Sequence, residues 1–180
     1  SGDDKELHRL NHWLKDWISK NPPYIGINWK CGQEASIRVM HLAMATLILD
    51  QSNSALCELK TIVHIHLQRI NSTTSYAIAQ SNNHAISEAA ALFIGGSLLA
   101  CKKGKAWLRR GRKLLESQVK RLVSEDGSFS QYSLNYHRLV LDTLCMVELW
   151  RQKQSEPKFS ESFYERAKAA SCWLLNMINA

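Results

Sequence analysis

Apolar residues recur at every third or fourth position along most of the chain, and this spacing constrains the fold more than any other feature of the sequence. A helix places such positions on one face, whereas a half-buried strand needs strict alternation. Asn21-Pro22-Pro23 ends the first such stretch, because proline lacks an amide hydrogen and restricts the residue before it. The spacing therefore predicts a first helix over 4–19. Its apolar face contains Leu7, Leu10, Trp13, Leu14, Trp17 and Ile18.

The same periodicity predicts a chain made almost entirely of helices. Ser52-Asn53-Ser54 offers capping side chains for the third helix, and the helix over 83–101 is apolar nearly all round, which predicts an interior position. Two polar segments, 71–82 and 124–134, are predicted as loops that each lead into a helix, where a site should be sought. Short connections predict antiparallel helix pairs within a single helical domain over 1–180. The helices after the first are predicted over 33–50, 55–70, 83–101, 104–123, 135–152 and 160–178.

Charge restricts the classes of partner. Lys and Arg number 23 against 16 Asp and Glu, which gives a net charge of +7. Such a surplus favours polyanions: nucleic acid, an anionic membrane surface or an acidic glycan. No apolar run approaches the ~20 residues needed to cross a bilayer, so no membrane span is predicted. The first residues lack the basic and apolar regions of a secretory signal and the chain begins without Met, so we expect a piece of a longer protein.

The residues that commonly bind metals follow no familiar spacing. The five cysteines lie far apart without a C-x-x-C pair, and we expect them to be reduced and mostly buried. His8 and His12 have the spacing of a helical metal pair, but Arg9 stands where the H-E-x-x-H motif has glutamate. P-loop and dinucleotide-binding glycine motifs are missing from the sequence. The sequence therefore predicts no metal site and no cofactor.

Three sets of residues lie where predicted loops meet predicted helices. The first is Gly26-Ile27-Asn28-Trp29 with Gln33-Glu34-Ala35-Ser36-Ile37-Arg38, the second is Ser81-Asn82-Asn83-His84 with Glu88-Ala89-Ala90, and the third is Asp126-Gly127-Ser128-Phe129 with Gln131, Ser133 and Asn135-Tyr136-His137. Together, and in this order, they resemble the helical domain of heparinase II/III-type polysaccharide lyases and of related alginate lyases. The resemblance spans roughly residues 13–145. It depends on the three sets jointly, because the N-H and Y-H dipeptides are common.

The resemblance implies an all-α fold whose antiparallel helix hairpins form part of an (α/α) toroid, with about seven helices in this chain. It also implies a lyase that cleaves uronic-acid-containing polysaccharide by β-elimination, in the periplasm or after secretion. The implied partners are the acidic polysaccharide and a C-terminal β-sandwich domain of the same protein. This sequence contains no segment that looks like that sandwich and too few helices for a full toroid. The difference matters because some catalytic groups of the family come from the missing part.

Three residues match catalytic positions of the family. Asn83 matches the asparagine that neutralises the uronate carboxylate, and His84 matches a histidine that some members use near the carboxylate or as a base. Tyr136 matches the tyrosine that acts as general acid, and in syn elimination also as base. A free phenol has a pKa of ~10, so it donates a proton at neutral pH more readily than it accepts one. Each residue also has a structural alternative: a helix cap for Asn83, a core or surface histidine for His84, and aromatic packing for Tyr136.

Further residues of the matching segments are candidates for substrate binding. Tryptophan can stack on a sugar ring, and arginine can form paired hydrogen bonds with a carboxylate or sulfate. The alternative for Glu34 and Arg38 is an ion pair between them, because they are four positions apart on one helix. Asn82 could instead cap the helix that begins beside it. The predicted substrate-binding residues are Trp29, Gln33, Glu34, Arg38, Asn82 and His137.

Two other functions remain open from the sequence. The chain could bind or assemble on an acidic glycan without chemistry, if the groove is kept and catalysis is lost. The cations over 104–123 could instead bind nucleic acid, although they are spread around the predicted helix and no helix-turn-helix pattern is evident. The sequence therefore favours the glycan over nucleic acid as the partner.

Overall fold

A computed structural model describes residues 2–50 and 57–178 of the chain, and within them the fold is all-α, as predicted. The expected capping segment Ser52-Asn53-Ser54 lies outside the described residues. In the part of the chain that is described, none of the helices is both long enough and apolar enough to span a membrane. The helices are α1 (Gly2–Lys20), α2 (Gly32–Ile48), α3 (Cys57–Ala79), α4 (Asn83–Leu99), α5 (Lys102–Leu122), α6 (Leu134–Lys153) and α7 (Glu161–Ile178), and a 3-10 turn covers Ile27–Trp29.

The chain divides into two compact units, residues 1–31 and residues 32–180. In the first unit the indole of Trp29 lies 6.4 Å from that of Trp17 and 5.5 Å from the ring of Tyr24, measured between ring centroids. Its Nε1 donates a hydrogen bond to the carbonyl of Asn21, and Asn28 donates to the Asn21 side chain. These contacts hold the segment after α1 to the end of that helix.

Helix α4 lies at the centre of the second unit, as its apolar sequence predicts. It packs against α2, α3, α5 and α6, and its residues are buried almost without exception. The two central glycines permit this packing: a side chain at Gly96 would meet backbone atoms of α5, and one at Gly95 would meet Val39 and Leu67. Close helix approach therefore offsets the low helix propensity of both glycines.

The starts of α2, α4 and α6 meet at one end of the second unit. Gln33 in the first turn of α2 and Gln131, three residues before α6, both accept hydrogen bonds from Asn83 at the start of α4. The loop before α6 is fixed there by two more bonds, since Ser130 donates from its amide to Leu122 and from its hydroxyl to Ser81. Helix starts carry a partial positive charge, so this end of the unit suits an anion.

The largest error of the sequence prediction concerns α3. The helix continues to Ala79, so the loop predicted over 71–82 shrinks to the residues between α3 and α4. Ser72 and Thr74 donate their hydroxyls to backbone carbonyls of the preceding turn, and Thr74 is buried. Polar side chains that bond to their own helix in this way are compatible with a helix interior. The other helix boundaries lie within three residues of the prediction where the structure describes them.

The prediction that the cysteines are mostly buried is wrong. All five are free thiols, but Cys31 is half-buried and the other four are exposed. Cys101 has a structural reason for its position, because its sulfur accepts a hydrogen bond from the amide of Gly104 and caps α5. Apolar neighbours in the sequence are therefore not sufficient to show that a cysteine lies on the buried face of its helix.

Candidate functional site

Asn83 is the centre of the hydrogen-bond cluster at the shared end of α2, α4 and α6. Its backbone amide donates to the Gln131 side chain over 2.9 Å, and its side-chain Nδ2 donates to Gln33 Oε1 over 2.7 Å. The residue is buried, and its Oδ1 has no hydrogen-bond partner within the described residues. A buried carbonyl oxygen without a partner costs free energy, so it marks a place where a donor would be bound favourably.

The neighbouring Asn82 is the cap of α4. Its backbone is extended, and its side-chain oxygen accepts a hydrogen bond from the amide of His84 over 3.0 Å. This geometry separates the two asparagines: Asn82 satisfies the helix start, which leaves the Asn83 side chain for other contacts. Asn82 therefore supports the site through the backbone, and we leave it out of the groups proposed to bind substrate.

His84 and Tyr136 lie at the starts of α4 and α6. His84 is half-buried, and desolvation lowers the pKa of its imidazole below the ordinary 6.5, so the ring is neutral at neutral pH. Tyr136 occupies the first turn of α6, five residues after the Gln131 that bonds to Asn83, and 44% of its surface is exposed. The fixed loop thus brings the segment that carries the phenol to the start of α4.

Glu88 adds a carboxyl group that the sequence had not assigned to the site. It lies on α4 five residues after Asn83, is 2% exposed, and its Oε2 has no hydrogen-bond partner in the described part of the chain. Burial raises the pKa of Glu88 to about 7, and the nearby charge of Arg69 acts in the opposite direction. Its other oxygen packs against the α carbon of Gly32, where any side chain would collide with it. The available signal was a carboxylate within the most apolar helix.

Arg38 and His66 form a second polar contact, between α2 and α3. Arg38 Nε donates to His66 Nε2 over 3.1 Å, and His66 Nδ1 lies 2.9 Å from the carbonyl of Ile62. Burial lowers the pKa of His66 to about 4, and the Arg38 charge adds to this, although the bond to Ile62 opposes it. His66 is therefore neutral, and its proton is assigned to Nδ1 because Nε2 accepts from Arg38. Glu34, the partner that the sequence suggested for Arg38, is exposed on α2.

Two of the predicted substrate-binding residues are placed in buried packing. His137 is 2% exposed, its Nε2 lies 2.8 Å from the carbonyl of Ala170, and its ring stacks on Trp173 with centroids 4.7 Å apart. Trp29 is buried among the aromatic residues of the 1–31 unit, without the open ring face that sugar stacking requires. We leave both out of the proposed site, because their side chains are engaged in internal contacts.

Comparison with known proteins agrees with the residues that carry the resemblance. A heparin-sulfate lyase of Bacteroides thetaiotaomicron is 26% identical over 179 residues, which cover 95% of this chain and 25% of that relative. The chain thus spans about a quarter of the length of the relative. No solved structure matches the chain significantly. The sequence model that describes the Heparinase II/III N-terminus matches residues 1–179. Because this match covers nearly the whole chain, including both compact units, the chain belongs to the Heparinase II/III N-terminus family.

Proposed function

We propose that this chain is the helical portion of a polysaccharide lyase that cleaves a uronic-acid-containing polysaccharide by β-elimination. The observation that carries the proposal is the bonding of Asn83 to both Gln33 and Gln131, which joins the helix start bearing Asn83 to the loop that leads to Tyr136. In the full protein we expect this unit to belong to an (α/α) toroid that is completed by further helices and a C-terminal β-sandwich domain. From the resemblance to heparinase II/III-type lyases we also expect the protein to be located in the periplasm or outside the cell.

The role proposed for Asn83 follows from the difficulty of the reaction. Removing the C5 proton beside a uronate carboxylate adds charge to an anion, so the site must stabilise the carboxylate as the proton leaves. Asn83 uses one hydrogen of Nδ2 on Gln33, and the second hydrogen remains as a donor for a carboxylate. The positive end of α4 adds to this stabilisation. Donors fixed in advance around a developing charge lower a barrier by several kcal/mol.

Tyr136 is proposed to protonate the leaving oxygen at C4. Its phenol is exposed, so it can reach a bound sugar and donate its hydrogen there. His84 is neutral at neutral pH, so its imidazole can accept the C5 proton from a sugar bound at the starts of α4 and α6. In this proposal His84 acts as the base, and Tyr136 donates the proton that completes the elimination.

The substrate class is proposed from charge and from the relative. A net charge of +7 favours a polyanion, and the relative of Bacteroides thetaiotaomicron is named for heparin sulfate. A sulfated or carboxylated glycan satisfies both indications. We therefore propose heparan sulfate as the first polymer to test, with hyaluronan and alginate for comparison.

Arg38 and Glu34 remain proposed as substrate-binding residues on α2, the helix that also carries Gln33.

The test uses the full-length protein and the near-ultraviolet absorbance of unsaturated uronate ends. Tyr136→Phe and Asn83→Ala should each lower the rate of product formation by a factor of about 100 or more, as expected for lost acid catalysis or a lost donor. Tyr132→Phe removes a fully exposed phenol from the loop before α6 and should leave the rate unchanged. Circular dichroism and urea unfolding of each variant guard against an effect of misfolding.

One observation favours a second candidate function. Asn83 is 1% exposed and already bonds to Gln33, which suits a structural amide in a domain that binds acidic glycan without cleaving it. In that case the full-length protein should bind heparan sulfate and release no unsaturated ends. Unaltered cleavage by both Tyr136→Phe and Asn83→Ala would contradict the proposed catalytic assignment itself.

A further inference from the structure

The surplus positive charge of the chain resides on one helix. Helix α5 contains nine Lys or Arg residues and a single Glu, a net charge of +8, whereas the whole chain carries +7. The rest of the sequence is therefore close to neutral. Three of the nine cations are used in contacts with neighbouring segments: Arg110 with Asn71, Arg112 with the carbonyl of Pro157, and Arg121 with the carbonyl of Ile78.

Five of the remaining cations form one line on the outer surface of α5. With 3.6 residues per turn, their positions lie within about 80° of the helix circumference. The opposite side of the helix carries Gly104 and Gly111, which pack against the backbone of α4. All five cations are exposed, and we call this set the α5 strip. Its members are Lys102, Lys105, Arg109, Lys113 and Lys120.

No member of the α5 strip forms an ion pair with another described residue of the unit over 32–180. The one carboxylate on that side, Glu116, bonds to the amide and hydroxyl of Ser160 before α7. Lys105, Arg109 and Lys113 follow one another at intervals of four residues, a spacing at which like charges repel and weaken a helix. A bound polyanion would relieve this repulsion along the whole line.

We propose that the α5 strip binds the polymer chain of an acidic polysaccharide as an extended subsite outside the candidate catalytic site. From Lys102 to Lys120 the strip is about 27 Å long, at 1.5 Å per residue. Its Lys120 end adjoins the candidate site, because Leu122 bonds to the loop before α6 and Arg121 bonds to the last turn of α3, which leads into α4. The identity of the polymer rests on the proposed function, but the strip itself rests on the position of its charges.

The composition of the strip favours a glycan over the other polyanions. Single-stranded nucleic acid is usually bound by cations together with exposed aromatic rings on which bases stack. The one aromatic residue of α5, Trp107, is buried, and its ring packs near His64. An anionic membrane surface would need exposed apolar side chains beside the cations, but the apolar face of α5 is packed in the core. A chain of regularly spaced carboxylates or sulfates needs neither feature.

The test compares two triple variants of the full-length protein that lose the same charge. Lys105→Gln/Arg109→Gln/Lys113→Gln alters the strip, and Lys153→Gln/Lys158→Gln/Lys168→Gln alters exposed lysines on other segments. Binding of heparan sulfate polymer is measured against NaCl concentration in the Tyr136→Phe background, so that cleavage does not consume the polymer. The strip variant should bind at least about tenfold more weakly at low salt, with a smaller salt dependence, because fewer counterions are released. The control should stay within twofold, and Arg109→Lys should bind as the parent does.

Cleavage by the catalytically intact protein separates this proposal from the proposed function. The strip variant should raise KM for the long polymer and leave kcat unchanged, and it should cleave a tetrasaccharide at the parent rate. If no polymer yields unsaturated ends, the proposed lyase function is contradicted. The binding measurements still test whether the α5 strip binds the polymer. Equal weakening by the strip and control variants would overturn the strip proposal. Binding of a DNA single strand as tight as that of the glycan, with the same loss in the strip variant, would overturn the choice of a glycan.

Discussion

The least expected residue of the candidate site is a carboxyl group inside an apolar helix. Glu88 is surrounded by the core around α4, and its Oε2 is unbonded within the described residues. An ionised carboxylate in such a place carries a large desolvation penalty, which the nearby Arg69 charge offsets only in part. The protein lowers this penalty by holding the proton, which is the origin of the pKa of about 7.

We predict that Glu88→Gln stabilises the protein at alkaline pH. The folded state holds a proton on Glu88 up to about pH 7, whereas the unfolded state releases it near the ordinary 4.5. Unfolding therefore becomes easier as the pH rises through this window, and the loss is complete above it. One pKa unit corresponds to about 1.4 kcal/mol, so the loss in wild type amounts to about 3 kcal/mol at most.

Urea unfolding from pH 4 to 8.5 measures this difference. The free energy of unfolding of wild type should fall across the window relative to Glu88→Gln, with the two curves closest at the acidic end. Glu165→Gln removes an exposed carboxyl from α7 and serves as the control. Parallel curves for wild type and Glu88→Gln would mean that Glu88 is ionised in the folded protein throughout.

For the candidate site, the sequence predicts where residues lie along the helices but not which residues they contact. Asn83 and Tyr136 were expected at helix starts, and α4 and α6 begin where this requires. Gln131 belongs to the matching residues, but its role is not predictable, because a long-range bond to the amide of Asn83 leaves no trace in local sequence. The burial of His137 is not predictable for the same reason, since its contacts with Ala170 and Trp173 come from a helix that is distant in sequence.

At the scale of the helices, tertiary contacts determine where a helix ends when the helix propensity of its residues does not. The polar run after Ile70 was predicted as a loop, but Asn71 accepts a hydrogen bond from Arg110 of α5, and Ala77 is buried. Packing against a neighbouring helix therefore continues α3 through residues of low helix preference. By contrast, the all-round apolar pattern of α4 was sufficient to predict its central position, because such a helix is stable only in an interior.

We predict that Gly111→Ala destabilises the packing of α5 on α4. A methyl group at Gly111 would meet the backbone of Ala89 and Phe93, and backbone atoms of a central helix cannot move aside as a side-chain end can. The higher helix propensity of alanine favours the variant by about 1 kcal/mol, and overpacking opposes it by about 1–3 kcal/mol or more. We expect a net loss of about 1–2 kcal/mol in the free energy of unfolding, measured in urea. Ser117→Ala, at an exposed position of α5, should have little effect, and an unchanged or raised stability for Gly111→Ala would contradict the close packing.

At the scale of the whole molecule, the two compact units differ in what each can bury. The unit over 32–180 contains nearly all of the buried hydrophobic residues, including the whole of α4. The unit over 1–31 has one helix, a 3-10 turn and a small cluster around Trp29. Chains below about 40 residues seldom bury enough surface to fold alone, and single helices in water are marginal. The two units should therefore differ in independent stability.

We predict that residues 32–180 fold on their own and that residues 1–31 do not. The longer fragment should unfold cooperatively with a helical circular dichroism spectrum, because its core comes from α2–α7. Hydrogen exchange should be slowest in α4, where burial is greatest. The peptide 1–31 should be mostly unstructured in water, although trifluoroethanol should induce the helix over Gly2–Lys20. If the longer fragment melts without a cooperative transition, its core depends on the first 31 residues. A 1–31 peptide that is fully helical in water would contradict the prediction that this unit does not fold alone.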